Sequence, residues 1–217
     1  MTVTIYGILA SRAVRPLWVA EELGIDYKHD KQAFAGGASR TPEFLAINPN
    51  GRVPAVVDER PDGRVVVWES MACALYLAQQ YGQADGSDIS PATATETAAA
   101  LKWSFWTITE LEKDALTVLM HRLAMPEAQR KPELADEAQK RLKVPLQVLE
   151  DELARQRAQG HDYLAGRRFT LADLCVASVV QWVRSGKGFG DDFALVQEWA
   201  QRCLGRDALK ALRQRTA

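Results

Sequence analysis

A chain of 217 residues can form one large domain or two small ones, and with 47% apolar and 25% charged side chains it has the balance of an ordinary globular protein. Its 27 basic and 28 acidic residues nearly cancel, and they do so locally as well: residues 1–82 carry 8 and 9, leaving 19 of each for the remainder. No polycationic face is available, so neither a nucleic acid nor a membrane is expected as a partner.

The three cysteines, Cys73, Cys175 and Cys203, are far apart and contain no paired spacing, which argues against a disulfide framework or a zinc site. The chain runs directly into a strand-like segment without the basic start and apolar core of a signal peptide. Its most apolar stretch, residues 171–183, is too short for the ~20 residues that span a bilayer and reads as a buried helix. A cytoplasmic protein is expected.

Residues 3–6 are β-prone and end at Gly7. From 13 to 23 the pattern turns helical, with Val14, Leu17 and Trp18 on one face and Gly24 as a stop. Pro16 fits only in the first turn, where its missing N–H costs nothing, so Ser11 falls in or just before the helix start. Residues 25–29 predict a weak second strand, and 31–51 carry loop chemistry with one helical turn at 43–46. Segments 53–57 and 64–68 predict an antiparallel hairpin around a turn within 58–63, followed by a helix over 70–81.

Residues 83–91 read as a linker. Beyond it the chain is helix-prone, with helices predicted over 92–123, 132–159, 170–184 and 194–202 and a short one near 207–213. The expected organisation is an α/β domain over 1–82 and an all-helical domain over 92–217.

Several residues can carry chemistry. Pro54 interrupts what otherwise looks like an interior strand, and proline cannot donate to a ladder. Either it lies trans on an edge strand, or a cis Val53–Pro54 bond leaves the Val53 backbone free to pair with a bound peptide. Glu69-Ser70 stands where strand becomes helix. It is either a plain helix cap with a solvated acid or a site for an α-amino-acid group, Ser70 and the helix amides taking the carboxylate and Glu69 the ammonium. Ser11 can cap its helix or donate to an anion such as a thiolate, and Arg15 either supports that field or forms a surface ion pair.

In the helical half, Thr170 and Asp173 fit a capping box, with Phe169 packing on Leu174. Trp103 and Trp106 are core residues or floor a pocket. Residues 186–190 are glycine-rich but lack the strand and helix of a phosphate loop, and read as a turn. The three histidines are scattered, with no metal spacing.

Taken in order, Ile5-Tyr6, Ser11 with Arg15, Glu21-Glu22-Leu23-Gly24, Phe44 with Asn48-Pro49, Gly51-Arg52-Val53-Pro54, Trp68-Glu69-Ser70 and Phe169-Thr170-Leu171-Ala172-Asp173 resemble the cytosolic glutathione transferase family. The resemblance spans nearly the whole chain and is to serine-type, theta-like members, bacterial in style. It implies a thioredoxin-like N-terminal domain (βαβ-ββα) joined to an all-α C-terminal domain. Glutathione would be the co-substrate, with no tightly bound cofactor.

The resemblance makes Glu69 and Ser70 the γ-glutamyl clamp, Val53 beside a cis Pro54 the partner of the cysteinyl backbone, and Arg52 the contact for the glycyl carboxylate. Ser11 would stabilise the thiolate, with Tyr6 as the alternative group. A small hydrophobic electrophile, or a hydroperoxide in a side activity, would sit on Ala10, Arg12, Trp103, Trp106 and Thr107. A homodimer is implied. The competing expectation is a non-catalytic binding or assembly module of the same fold.

Overall fold

The computed structural model describes residues 2–33, 36–83, 85–189 and 192–216. It divides into two compact units, residues 1–92 with 207–217, and residues 93–206. No helix among the described residues is long and apolar enough to cross a membrane.

The first unit is built on a four-stranded sheet in the order β2-β1-β3-β4. Strand β1 (Thr2–Tyr6) pairs in parallel with β2 (Tyr27–Asp30) and antiparallel with β3 (Ala55–Arg60), which forms a hairpin with β4 (Gly63–Trp68). The hairpin is tighter than expected: Arg60 pairs with Gly63, so only Pro61-Asp62 turn. Strand β3 starts at Ala55 rather than at Val53, because the ladder cannot use a proline nitrogen. Helix α1 (Val14–Leu23) follows β1, and α2 (Pro42–Leu45), capped by the Thr41 hydroxyl accepting from the Phe44 amide at 3.3 Å, is the one turn expected in the long loop. Helix α3 (Ser70–Tyr81) has the predicted bounds.

Val3, Ile5, Leu17, Trp18, Val56 and Leu77 are buried together in this unit, where α1 packs on α3. Asp58 is a buried carboxylate on β3 that accepts from the hydroxyls of Tyr76 at 2.6 Å and Tyr81 at 2.8 Å, with Arg60 at 3.8 Å. Helix α9 (Asp207–Thr216), expected with the helical segment, instead belongs to this unit. It packs on α1, where Arg215 pairs with Glu21, which also accepts from the Tyr27 hydroxyl.

The second unit is helical. The single helix expected over 92–123 is interrupted: α4 (Ala94–Trp106) gives way to a π-helical segment, Thr107–Leu111, before α5 (Glu112–Leu119) and a second π segment, Met120–Ala124. The first π segment opens where the Thr107 hydroxyl bonds back to the Trp103 carbonyl at 2.7 Å. Such back-bonding competes with the helix ladder.

Helix α6 (Pro132–Ala158) packs on α5, and α7 (Leu171–Ser185) lies against α4, α5 and α8 (Ala194–Leu204). Eleven of the fifteen residues of α7 are buried, which makes it the core of the unit. The capping box forms as expected: Asp173 accepts from the Thr170 amide at 3.0 Å, and it also takes the Leu164 amide and the Trp199 indole. Residues 186–189 form a turn, and Gly190 of the predicted glycine cluster lies outside the described residues.

Candidate functional site

The sheet register gathers the predicted N-terminal site residues. Tyr6 stands opposite Ala55 and Ala55 opposite Trp68, so the chain leaving β1, the chain entering β3 and the chain leaving β4 share one end of the sheet. That end holds Gly7 and the loop to Ser11, then Val53-Pro54, then Glu69-Ser70.

Gly7 makes the junction possible. Its φ is 128°, and a β-carbon there would lie 2.7 Å from the Ala13 β-carbon and 3.1 Å from that of Val53. No side chain fits, so the turn of residues 8–13 folds close to Val53. The Gly7 amide donates to the Asp30 carbonyl at 2.8 Å, and Nε2 of His29 donates to the Gly7 carbonyl at 2.8 Å, pinning the junction to β2.

Ser11 precedes the helix without being its cap, which is Ala13. Its hydroxyl donates to the Ile8 carbonyl at 2.6 Å and accepts from the Ala13 amide at 3.1 Å. It is half-buried, with Ala10 exposed and Arg12 half-buried beside it. Tyr6 packs edge-on against Phe44, ring centroids 5.9 Å apart, and burial, then the Asp30 carboxylate, raises its phenol pKa.

The Val53–Pro54 bond is cis. Among the described residues neither the amide nor the carbonyl of Val53 has a hydrogen-bond partner. The preceding loop is held from within: Asn48, 2% exposed, donates from Nδ2 to the Arg52 carbonyl at 2.6 Å and accepts from the Asn50 amide at 3.1 Å. Gly51, at φ 57°, lies so close to the Ser39 carbonyl that a β-carbon would come within 2.8 Å. The Arg52 side chain is exposed.

Glu69 is exposed and adopts φ 72° and ψ 118°, a conformation that costs a non-glycine residue on the order of 1–3 kcal/mol. It is the residue before α3, and no side chain caps the helix. The plain-cap reading of Ser70 therefore does not hold. Ser70 is the first helical residue and is 4% exposed, and its oxygen accepts from Nη1 of Arg15 at 2.6 Å. The first α3 amide with an intrahelical partner is that of Cys73, bonded to the Glu69 carbonyl; the amides of Ser70, Met71 and Ala72 have none among the described residues. Free amides at a helix start, beside a hydroxyl, suit an anion.

Arg15 is fully buried, whereas the plainer of its two expected roles placed it on the surface. The sequence carries a signal of this: Arg15 is the only charged residue in the run 13–20, every member of which is buried.

The remaining predicted residues lie in the helical unit. Trp103 is 4% exposed and meets Trp106 edge-on at 5.0 Å, while Thr107 is fully buried and bonded to the helix backbone. The Trp103 indole nitrogen is buried without a hydrogen-bond partner among the described residues. Cys73, Cys175 and Cys203 are all buried free thiols, and burial raises the pKa of Cys73 and Cys203.

This fold, with a thioredoxin-like unit and a helical one, is that of a glutathione transferase. The profile described as "Glutathione S-transferase, N-terminal domain" matches residues 1–79, and "Glutathione S-transferase, C-terminal domain" matches 112–207. Glutathione S-transferase 3 of Zea mays is 35% identical over 175 residues, 78% of this chain and 72% of that protein. Glutathione S-transferase GstB of Escherichia coli (strain K12) is 31% identical over 209 residues, 96% of each chain. Among solved structures, the theta class glutathione S-transferase from Xanthomonas axonopodis pv. citri, with glutathione bound, superposes with a TM-score of 0.80 at 30% identity, covering 96% of this chain and 95% of that one.

The chain belongs to the glutathione S-transferase family, and the enzymatic reading stands over that of a non-catalytic assembly module.

Proposed function

We propose that the end of the sheet formed by Gly7–Ser11, Val53-Pro54 and Glu69-Ser70 cradles glutathione and that Ser11 stabilises its thiolate for attack on a small hydrophobic electrophile. The observation that carries this reading is the register Tyr6–Ala55–Trp68, which gathers three separate segments into one place. Val53 offers an amide and a carbonyl to the cysteinyl backbone. Ser70 and the open amides of α3 take the γ-glutamyl carboxylate, Glu69 takes the ammonium, and Arg52, exposed on the same loop, takes the glycyl carboxylate.

In this reading Ser11 turns its hydroxyl from the Ile8 carbonyl to the sulfur. That exchange keeps the loop hydrogen-bonded in the free enzyme and supplies a donor to the anion in the complex. Stabilising the thiolate by ~1.4 kcal/mol lowers its pKa by about one unit. The sulfur then forms a bond to carbon as a leaving group such as halide departs, or attacks a hydroperoxide oxygen, releasing the alcohol; a second glutathione would reduce the resulting sulfenic acid. Tyr6 is the less favoured donor, since its ring packs on Phe44. Ala10, exposed beside Ser11, and Arg12 are assigned to the acceptor on the N-terminal unit.

A homodimer is proposed as the working form, in the cytoplasm. Leu101 and Phe105 on α4 and Ile108 in the π segment that follows are 43%, 64% and 40% exposed, an apolar stripe that a second copy would cover.

The test is Ser11→Ala, assayed with a reactive aryl halide and with cumene hydroperoxide. Turnover should fall at least tenfold while the affinity for glutathione stays within about threefold, a loss of ~1.4 kcal/mol or more confined to the transition state. An unchanged rate would reduce Ser11 to a turn-forming residue.

A further inference from the structure

Arg15 is buried on α1 and donates to Ser70 Oγ on α3 at 2.6 Å, the one polar contact that hydroxyl makes among the described residues. A serine hydroxyl has one proton and two lone pairs. With a guanidinium donating into its oxygen, the Ser70 proton is not spent on Arg15, and it has no acceptor among the described residues. It remains for an acceptor docking at the start of α3. A cationic donor also polarises the O–H bond, and hydrogen bonds with an ionised partner are about twice as strong as neutral ones. The same arrangement brings a permanent positive charge to the start of α3, where open amides already favour an anion.

We infer that Arg15 is a positioning residue for glutathione: it fixes the Ser70 hydroxyl as a donor and, through it, tunes the site for the γ-glutamyl carboxylate. This rests on the assignment of that carboxylate to Ser70 made above. Arg15 acts through Ser70, with no contact to the substrate required.

The consequence is selective. The benefit of Arg15 exists only for a ligand that carries a carboxylate at that position. 4-Aminobutyryl-cysteinyl-glycine is glutathione without its γ-glutamyl carboxylate, and glutaryl-cysteinyl-glycine is glutathione without its ammonium. Binding of all three tripeptides to the wild-type enzyme, Arg15→Gln and Arg15→Lys is measured by calorimetry at fixed ionic strength, with circular dichroism confirming the fold. Arg15→Gln should lose about 10- to 100-fold in affinity for glutathione and for the glutaryl peptide. Its affinity for the aminobutyryl peptide should change less than about threefold. Arg15→Lys keeps the charge and should show an intermediate, equally selective loss.

In turnover, the KM for glutathione should rise while kcat at saturating glutathione stays within about threefold, because the interaction is made in ground and transition states alike. Ser70→Ala should abolish the effect, so that adding Arg15→Gln to it costs glutathione binding less than about threefold.

Equal losses for all three peptides would overturn the proposal, leaving Arg15 a packing residue. If Arg15→Gln fails to fold, Arg15→Lys and the Ser70→Ala pair decide by the same selectivity. A wild-type enzyme that binds glutathione and the aminobutyryl peptide equally would instead refute the carboxylate assignment itself, and the role of Arg15 with it.

Discussion

Replacing Asp58 by asparagine tests the most concentrated polar arrangement in the N-terminal unit. Asp58 is fully buried on β3 and accepts from Tyr76 at 2.6 Å and Tyr81 at 2.8 Å. Hydrogen bonds to a charged acceptor contribute about 1.5–3 kcal/mol, and neutral ones about 0.5–1.5. Asparagine has nearly the same shape but no charge and a single acceptor oxygen, so one tyrosine keeps a neutral acceptor while the other must turn and accept from the new NH2. Each bond loses about 1 kcal/mol and the pair about 2. For a chain of this length that lowers the melting temperature by about 4–8 °C. Asp58 lies three residues along β3 from Ala55, about 10 Å from the site end of the strand, so the KM for glutathione should stay within about twofold.

A second measurement on the same protein isolates the cause. Burial first, then the hydrogen bond to Asp58, pushes the phenols of Tyr76 and Tyr81 up to about 12. Between pH 10 and 12 the native state holds these protons while the unfolded state has lost them. Stability is therefore complete below pH 10 and falls as pH rises toward 12. Tyrosinate absorbance should show the two phenols titrating late in the wild type and earlier in Asp58→Asn. A melting temperature within about 1 °C of wild type, together with an unchanged alkaline titration, would refute the account of this cluster.

Three further outcomes are expected. Glu69→Gly should relieve the strained φ of 72° and hold or raise the melting temperature, while weakening glutathione binding severalfold; calorimetry and thermal melting read the two effects separately. Gly7→Ala should destabilise by more than about 1 kcal/mol in urea unfolding and raise the KM for glutathione, because its β-carbon would press on Ala13 and displace the turn that carries Ser11. A thiol-specific chromogenic disulfide should react with none of the three cysteines in the folded protein and all three in denaturant, and thiol alkylation of the native enzyme should leave turnover intact.

Much of this architecture was legible in the sequence because strong local signals agreed with tertiary demands. Ser70 to Tyr81 is a periodic apolar segment with a sharp start, and its bounds match. Thr170 and Asp173 form their capping box because Asp173 also serves the Leu164 amide and the Trp199 indole, so local and long-range bonds reinforce each other.

The failures share a different cause. The π segments follow Trp106 and Leu119, the first at a threonine that back-bonds to the Trp103 carbonyl, and periodicity over 92–123 is blind to both. Asp58 falls in the expected turn segment 58–63, and nothing local announces the two α3 tyrosines that donate to it. The surface reading of Arg15 fails in the same way, since Ser70, to which it donates, lies 55 positions away.

The placement of α9 bears on how the protein is made. The N-terminal unit is discontinuous in sequence, interrupted by more than a hundred residues of the other unit. On a ribosome, α1 emerges early but waits for its covering helix until residue 207 and beyond have been translated. Throughout that interval the surface of α1 that α9 will cover stays open to chaperones, and removing α9 would make that nascent condition permanent.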